Sequence, residues 1–341
     1  MYNIRLQTDS GGTDIDVGEH LTARLRDLDQ EPVLLVDANV LRLHPGLFEG
    51  FRTLEVPAGE RHKTLATVEK LYRELMQMDT DRSALLVGVG GGLTTDVAGF
   101  VATTYLRGVP FGFVSTTLLG QVDASIGGKN GVNLDGYKNM VGSFRQPGFI
   151  WCDLSLLQTL EQREYVSGIA EVIKYGAIRD ARFMEYLAEH MEALLQQDTG
   201  VLEKVVTTSA GIKADVVQQD ETESNLRRIL NFGHTVGHAL ERETKIWHGE
   251  AVASGMVFAA GLSHALGYLS AGEVEQLRGV ILSAGLPVDL QADPDLLFEN
   301  LRKDKKKEGE VIHFVLLEGL GRAVVKPIPL KDLKIMLHDL P

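Results

Sequence analysis

The fold is decided by residues 84–96, which read ALLVGVGGGLTTD. The segment Ala84–Val89 is a short apolar run of the kind that forms a buried strand, and glycines follow it. We predict that the strand ends in a tight turn at Gly88–Gly92 and that a helix begins directly after it. Backbone N–H groups at such a junction suit a pyrophosphate. Because Leu93 stands where the pattern G-x-G-x-x-G requires glycine, a nucleotide site and a purely structural turn are both compatible with the run.

Strand and helix patterns alternate on both sides of this segment. An apolar strand over Pro32–Val36 ends at Asp37-Ala-Asn39, helical periodicity runs from Thr64 to Met78, and the apolar run Phe111–Ser115 ends in Thr116-Thr117. This rhythm predicts a mostly parallel sheet with helices on its faces. Ligands on such sheets bind beyond the carboxyl ends of the strands. Asp37 ends one of these strands and is therefore a candidate to hold ribose hydroxyls.

The second half of the chain has a different pattern. It has no proline between Pro147 and Pro287, and helical periodicity dominates it. The predicted helices are Glu161–Ile178, Phe183–Leu195, Val201–Val217 and Leu226–Glu241. We predict an α/β domain over residues 1–155 and an all-helical domain over residues 156–341.

Composition narrows the possible classes of protein. The 341 residues are 44% hydrophobic and 24% charged, which is ordinary for a globular chain. A single cysteine, Cys152, excludes an intrachain disulfide and a cysteine-based zinc cluster, and it favours a reducing, cytoplasmic setting. The most apolar stretch, Ala251–Leu266, contains polar residues and is expected to be a packed helix, so we expect no membrane segment. A net charge of −13 without a basic stripe argues against nucleic-acid binding.

The segment Leu226–Glu241 carries the densest set of polar candidates. Arg227, Asn231, His234 and His238 are spaced by four, three and four residues, which predicts one face of a helix. A stripe of this kind would be costly to bury without partners. The alternative is an ordinary solvated face.

Histidines four residues apart on a helix are a metal-ligand spacing. The zincin motif HExxH is absent because Thr235 follows His234. His248 is a third candidate, and Glu171, which shares a helical face with Lys174, is a candidate carboxylate. A catalytic zinc takes about three protein ligands and keeps one open position, so two histidines and a glutamate would suffice.

A third cluster follows the Phe111–Ser115 strand. It contains Gln121, Asp123, Gly127-Gly128-Lys129 and Lys138-Asn139. The glycines and lysines suit an anion-binding loop, and they are equally compatible with a glycine-rich hairpin.

Taken together, these motifs resemble 3-dehydroquinate synthase. The resemblance spans roughly residues 30 to 320, with the motifs in the order expected of that family. The motifs are Gly90-Gly91-Gly92 with Asp96, Tyr105-Leu106-Arg107-Gly108-Val109, Thr116-Thr117-Leu118-Leu119, Gln121-Val122-Asp123, Gly127-Gly128-Lys129, Lys138-Asn139-Met140, Ala170-Glu171-Val172-Ile173-Lys174-Tyr175-Gly176, Leu230-Asn231-Phe232-Gly233-His234-Thr235-Val236-Gly237-His238, His248-Gly249-Glu250 and Asp304-Lys305-Lys306.

The resemblance implies an N-terminal NAD-binding α/β domain, a C-terminal helical domain that binds metal and substrate, and an active site in the cleft. It implies a homodimer and a zinc or cobalt ion. The implied shikimate-pathway reaction converts 3-deoxy-D-arabino-heptulosonate 7-phosphate to 3-dehydroquinate and phosphate. Transient oxidation by NAD acidifies a C–H bond so that phosphate can leave, and reduction and an intramolecular aldol step close the carbocycle.

The resemblance also implies a role for each matching residue, and it changes the ligand set suggested by spacing. The implied metal ligands are Glu171, His234 and His248, while His238 points at substrate. The cofactor positions are Asp37, Asn39, Glu60, Lys63, Gly91, Gly92, Asp96, Thr116, Thr117, Lys129 and Lys138. The catalytic and substrate positions are Lys129, Asn139, Asn231, His238 and a lysine of the Lys305-Lys306 pair for phosphate, Lys213 and Arg227 for the carboxylate, Asp123, Lys174 and Glu223 around the hydroxyls, and Arg107 across the dimer interface.

Three other functions remain as alternatives. A metal-dependent polyol dehydrogenase shares the two-domain architecture, but we would expect an aspartate in place of Glu171 as ligand. A sister sugar-phosphate cyclase acts on substrates without a carboxylate, and Lys213 and Arg227 argue against it. A non-catalytic nucleotide-binding protein would have no use for the metal-ligand set.

Overall fold

Alternating β and α segments build the first part of the chain around a seven-stranded sheet. The computed structural model describes residues 1–244, 246–289, 292–302, 307–308 and 310–339. Its strands are β1 (Tyr2–Thr8), β2 (Gly11–Gly18), β3 (Val33–Asp37), β4 (Arg52–Val56), β5 (Leu86–Gly90), β6 (Phe111–Ser115), β7 (Lys129–Leu134), β8 (Tyr137–Phe144), β9 (Phe149–Asp153), β10 (Lys307–Glu308), β11 (Val311–Leu317) and β12 (Ala323–Pro329).

The large sheet has the strand order β1-β2-β9-β6-β5-β3-β4. Only β1 pairs antiparallel, with β2, and the other neighbours are parallel. The residues of β5 and β6 are all buried, as expected for strands covered on both faces. The predicted mostly parallel sheet is therefore confirmed, and the strands predicted near residues 33, 86 and 111 form its centre.

The helices are α1 (Ala38–Leu43), α2 (Leu65–Gln77), α3 (Gly92–Thr104), α4 (Gln162–Arg179), α5 (Ala181–Leu195), α6 (Thr199–Gln219), α7 (His234–Thr244), α8 (His248–Ala265), α9 (Ala271–Ser283), α10 (Pro294–Arg302) and α11 (Leu330–Asp339). Local sequence fixes several starts, because Thr64 and Asp180 accept backbone N–H bonds at the starts of α2 and α5. Within the described residues, no helix combines the length and the apolar character that a membrane span needs.

The chain divides into two compact units, one of Met1–Tyr165 with Leu202–Thr222 and the other of Val166–Val201 with Glu223–Pro341. This division differs from the predicted boundary after residue 155, because most of α6 joins the first unit. Side chains at the end of α6 and just after it bind the N-terminal hairpin. Gln218 accepts a 3.2 Å hydrogen bond from the Gln7 N–H, and Glu221 accepts a 2.8 Å bond from the Thr8 hydroxyl.

The second unit is largely helical, as predicted for the C-terminal half. It also contains an antiparallel sheet, β10-β11-β12, which the all-helical prediction did not include. Five apolar residues of β11 are buried in this unit, namely Ile312, Phe314, Val315, Leu316 and Leu317.

The prediction of a continuous helix over Leu226–Glu241 is wrong. Residues Leu226–Asn231 form a 3₁₀ helix, Phe232 has non-helical backbone angles, and α7 begins at His234. Gly233 causes the break because its φ of +78° is a left-handed conformation that glycine adopts readily. Arg227 and Asn231 are therefore not on the same helix as His234 and His238.

Candidate functional site

Three metal-ligand side chains meet in the second unit. Glu171 lies in the middle of α4, while His234 and His248 are the first residues of α7 and α8. The Nε2 atoms of His234 and His248 lie 3.2 and 3.3 Å from the same Glu171 oxygen, Oε1. One ligand atom from each residue lies within 4.8 Å of the others, so a single ion could contact all three.

Glycines allow the two histidine-bearing helices to approach this point. A Cβ on Gly255 of α8 would lie 2.1 Å from the Gly233 carbonyl oxygen, and one on Gly237 would lie 3.0 Å from the Ala251 carbonyl oxygen. A Cβ on Gly249 would lie 2.2 Å from the carbonyl oxygen of Ser167, one turn before Glu171 on α4. The close contact at Gly249, supported by a 2.9 Å bond from its N–H to the Ser167 hydroxyl, places His248 beside Glu171.

Hydrogen bonds at the Nδ1 atoms fix the orientation of both imidazoles. The Nδ1 atom of His234 lies 3.1 Å from the Phe232 carbonyl oxygen, and the Nδ1 atom of His248 lies 2.9 Å from Glu241 Oε1. Because a carbonyl and a carboxylate can only accept, each Nδ1 must donate its proton. The neutral form of each ring therefore presents the Nε2 lone pair toward Glu171.

This arrangement fits a cation. Glu171 is fully buried, Lys174 pairs with its Oε2 atom, and its Oε1 atom faces the Nε2 atoms of both histidines. Two Nε2 lone pairs and a carboxylate oxygen that face one another repel unless a proton or a cation lies between them. Histidines that bind a metal normally donate the other ring N–H to a carboxylate or carbonyl, as both do here.

The charges around Glu171 agree with this interpretation. Burial raises the pKa of Glu171, but Lys174 and His234 outweigh it and hold the pKa well below its ordinary value. Burial lowers the pKa of His234. Burial also opposes the charge on His248, whereas the bonds to Glu171 and Glu241 raise its pKa to about 9.

Two neighbours complete this region. The buried Lys174 ammonium forms an ion pair with Glu171 Oε2 one turn along α4. His238 is not in the trio but belongs with Glu241 and His248 to a second group whose ligand atoms lie within 4.8 Å of one another. The trio contains the same residues as the ligand set implied by the family resemblance, whereas the i, i+4 pair His234 and His238 is divided between the two groups.

In the first unit, the glycine turn lies between β5 and α3 as predicted. Helix α3 begins after Gly91, and this N-cap glycine has no side chain that could cap the first N–H groups. A Cβ on Gly91 or Gly92 would lie 2.8 Å from Thr117 Cγ2 or from Ala124 Cβ respectively, so the turn has room only for backbone. Across this edge of the sheet, Asp37 accepts hydrogen bonds from the Asn39 N–H at 2.8 Å and the Thr94 hydroxyl at 3.1 Å.

A second network in this unit gathers four of the expected site residues. Lys63 is buried and binds Asp96 through an ion pair and Asn139 Oδ1 at 2.6 Å. Asn133, which the sequence analysis did not single out, donates to Glu60 Oε1 at 2.8 Å and accepts from the Asn139 N–H at 2.9 Å. Burial raises the pKa of Asp96, although Lys63 opposes the rise.

Other expected residues pair within their own units. In the first unit, the Lys213 ammonium contacts Asp123 Oδ1 at 2.7 Å and the Asp123 carbonyl oxygen at 2.6 Å. In the second unit, the Asn231 amide donates to Glu223 Oε1 at 2.5 Å. Arg227, which lies between these two residues in the sequence, is buried.

The remaining expected residues show varied exposure. Thr116 is buried and Thr117 half-buried, whereas Arg107, Lys129 and Lys138 are exposed. The Lys305-Lys306 pair, expected to contribute to the phosphate site, lies outside the described residues.

Sequence reasoning missed three residues that position the others, namely Ser167, Glu241 and Asn133. Ser167 and Glu241 act on His248 across helix contacts, and Asn133 acts through a hairpin. The only local signal was the glycine of His248-Gly249-Glu250, which indicates a close backbone approach without naming its partner.

The fold and the metal-ligand trio define a class of protein with known structures. A 2-deoxy-scyllo-inosose synthase in complex with carbaglucose-6-phosphate, NAD⁺ and Co²⁺ superposes with a TM-score of 0.89 at 26% identity over 99% of this chain and 100% of that one. A 2-epi-5-epi-valiolone synthase from Streptomyces hygroscopicus subsp. jinggangensis 5008, with NAD⁺ and Zn²⁺ bound, has a TM-score of 0.88 at 27% identity over 96% of each chain. The class is that of the sugar-phosphate cyclases.

Sequence comparison then gives the family. The 3-dehydroquinate synthase N-terminal and C-terminal families match residues 53–167 and 168–307. The 3-dehydroquinate synthase of Symbiobacterium thermophilum is 44% identical over 333 residues, which cover 92% of this chain and 93% of the relative. The chain belongs to the 3-dehydroquinate synthase family.

Proposed function

We propose that this chain is an NAD- and divalent-metal-dependent carbon–oxygen lyase that converts 3-deoxy-D-arabino-heptulosonate 7-phosphate to 3-dehydroquinate and phosphate. The observation that carries the proposal is the convergence of Glu171, His234 and His248 in a chain that matches this family over both of its parts. In the reaction, oxidation of a hydroxyl to a ketone acidifies the neighbouring C–H bond and lets phosphate leave. Reduction, ring opening and an aldol addition then close the carbocycle.

Glu171, His234 and His248 would hold zinc or cobalt, the ions found in the two related cyclases. Three protein ligands leave a position for substrate, and the ion would serve there as a Lewis acid toward a hydroxyl oxygen. Lys174 contacts the free side of the Glu171 carboxylate and keeps that carboxylate ionised. Lys174 also matches a position around the substrate hydroxyls.

NAD⁺ would bind in the first unit and supply a hydride acceptor that is regenerated in each turnover. The N-terminus of α3, which follows the N-cap glycine Gly91, and the Gly91-Gly92 turn suit its pyrophosphate, and the Asp37 carboxylate at the end of β3 suits ribose hydroxyls. The remaining proposed contacts are Asn39, Glu60, Lys63, Asp96, Thr116, Thr117, Lys129 and Lys138. The shared hydrogen bonds of Glu60, Lys63, Asp96 and Asn139 support a single binding surface in this region.

Different side chains would bind the two anionic ends of the substrate. Arg227 and Lys213 would bind the carboxylate, for which a planar guanidinium is well suited. The phosphate would contact Lys129, Asn139, Asn231, His238 and a lysine of the Lys305-Lys306 pair. Asp123 and Glu223 would lie at the hydroxyls, where their contacts with Lys213 and Asn231 hold them in place.

We further propose a cytoplasmic homodimer to which Arg107 contributes across the subunit interface. The single, buried Cys152 agrees with a reducing compartment. Arg107 is exposed and has a φ of +69°, next to Leu106 at +50°, so this corner projects its side chains from the end of α3.

Phosphate release from the heptulosonate phosphate tests the proposed function. We expect release that requires both NAD⁺ and a divalent ion, with no steady accumulation of NADH over many turnovers. Stoichiometric NADH would instead indicate a polyol dehydrogenase. Preference for a substrate without a carboxylate would indicate a sister cyclase.

A further inference from the structure

Glu241 lies next to the metal-ligand trio and contacts the His248 ring through the nitrogen that does not face Glu171. It lies on α7, two turns after His234, and its side chain is only 11% exposed. Its Oε1 atom lies 2.9 Å from His248 Nδ1, while Nε2 of the same ring lies 3.3 Å from Glu171. The imidazole of His248 is thus held between two carboxylates, one on α7 and one on α4.

The two histidines of the trio are held by different kinds of acceptor. His234 donates to the Phe232 backbone carbonyl, which is neutral and is present whatever side chains surround it. His248 donates to the charged carboxylate of Glu241, which a substitution can remove. A charge-assisted bond is stronger than a neutral one, so it restricts the ring more firmly and increases electron density at Nε2.

His248 needs such support more than His234 does. Its side chain is 29% exposed, against 11% for His234, and it stands at the first residue of α8, where packing constrains it from fewer sides. Rotation of the ring about its Cβ–Cγ bond would turn Nε2 away from Glu171 and leave the trio with two ligands.

We propose that Glu241 is the positioning residue that holds His248 in the Nδ1–H form with Nε2 toward Glu171, and that it thereby sets the affinity of the site for a divalent cation. Helix α7 would then supply one ligand, His234, and orient a second ligand, His248, through Glu241. The inference rests on the proposed metal site and assigns it a fourth, non-ligating member.

The test is zinc affinity, measured by competition with a chromophoric chelator on protein stripped of metal. We expect Glu241→Ala to weaken zinc binding about 10- to 100-fold. Glu241→Gln should weaken it less, because the amide oxygen still accepts the Nδ1 proton but carries no charge. Glu243→Gln is the matched control, since it removes a charge from the same helix at a residue that bonds to the Asp293 N–H instead.

The visible spectrum of the cobalt-loaded proteins gives a second readout. Loss or reorientation of His248 should change the d–d bands in Glu241→Ala, whereas Glu243→Gln should retain the wild-type bands. Circular dichroism of the stripped proteins checks folding, and Glu241→Gln, which keeps the shape of the side chain, carries the test if the alanine variant does not fold.

The possible outcomes separate the two proposals. Wild-type zinc affinity in Glu241→Ala, or an equal loss in Glu243→Gln, would overturn the role of Glu241 and leave the metal site intact. Failure of the wild-type protein itself to bind zinc or cobalt would overturn the metal site and this inference together.

Discussion

Replacement of Gly249 by alanine should damage the metal site without changing any proposed metal ligand. The new Cβ would lie 2.2 Å from the Ser167 carbonyl oxygen and 2.5 Å from Ser167 Cα, both of which are backbone atoms of α4. The start of α8 must therefore retreat by more than 1 Å before the contact reaches the ordinary separation of 3.4 Å. Overpacking of this kind costs about 1–3 kcal/mol, and the lost bond from Gly249 N–H to the Ser167 hydroxyl costs about 1 kcal/mol more.

The same displacement should reach the adjacent ligand, His248. Metal–ligand distances tolerate deviations of about 0.2 Å, so a shift of roughly 1 Å should reduce zinc affinity at least about tenfold. Urea unfolding of the metal-free protein measures the first effect, and chelator competition measures the second. We expect the free energy of unfolding to fall by about 2–4 kcal/mol.

Gly279→Ala is the matched control for this experiment. Gly279 lies within α9, and a Cβ there would meet nothing within 4 Å. The substitution should stabilise the protein by about 0.4–1 kcal/mol, because alanine has fewer conformations to lose on folding. An unfolding free energy and zinc affinity unchanged in Gly249→Ala would refute the argument, as would an equal loss in Gly279→Ala.

Three further predictions concern side chains in the proposed sites. His248→Ala should not bind stoichiometric zinc, whereas His238→Ala should keep zinc and lose turnover. Metal analysis measures the zinc content, and phosphate release measures turnover. Full zinc occupancy in His248→Ala would exclude this ligand set. Arg227→Met should lower kcat/KM for the heptulosonate phosphate by an amount equivalent to about 2–5 kcal/mol. It should scarcely affect the poor turnover of sedoheptulose 7-phosphate, which lacks the carboxylate, and equal losses on both would contradict carboxylate binding. Asn133→Ala should weaken NAD⁺ binding several-fold in a calorimetric titration and leave zinc affinity unchanged. The reason is that it removes hydrogen bonds of about 1 kcal/mol each beside Lys63. An unchanged NAD⁺ affinity would contradict a role of Asn133 in the NAD-binding surface.

The parallel sheet could be predicted from the sequence because its signals are local. Each central strand is an apolar run of about five residues followed by Asp37, by glycines or by paired threonines, and the observed strands end at Asp37, at Gly90 and at Ser115 directly before the threonines. Burial on both faces removes the alternation of polar and apolar residues and leaves a continuous apolar run that is easy to recognise.

The break between Asn231 and His234 could not be predicted from periodicity. Glycine is tolerated within a helical pattern, so Gly233 did not interrupt the spacing of four, three and four residues. Its left-handed conformation is decided by packing against Val252 and Met256 of α8, which follow it by about 20 residues. For the same reason, Glu241 could not be linked to His248 before the relative placement of α7 and α8 was known.

The discontinuity of the first unit has a consequence for how the protein is made. A ribosome releases the whole seven-stranded sheet before it has synthesised Lys213 and Glu221, the partners of Asp123 and of the N-terminal hairpin. The segment Val166–Val201, which belongs to the other unit, must emerge in the interval. The sheet of the nascent chain therefore forms before α6 is available to pack against it. Contacts between residues so far apart in sequence form slowly. A chain cut after residue 165 would remain permanently at that stage, with the antiparallel edge of its sheet lacking the α6 contacts that normally hold it.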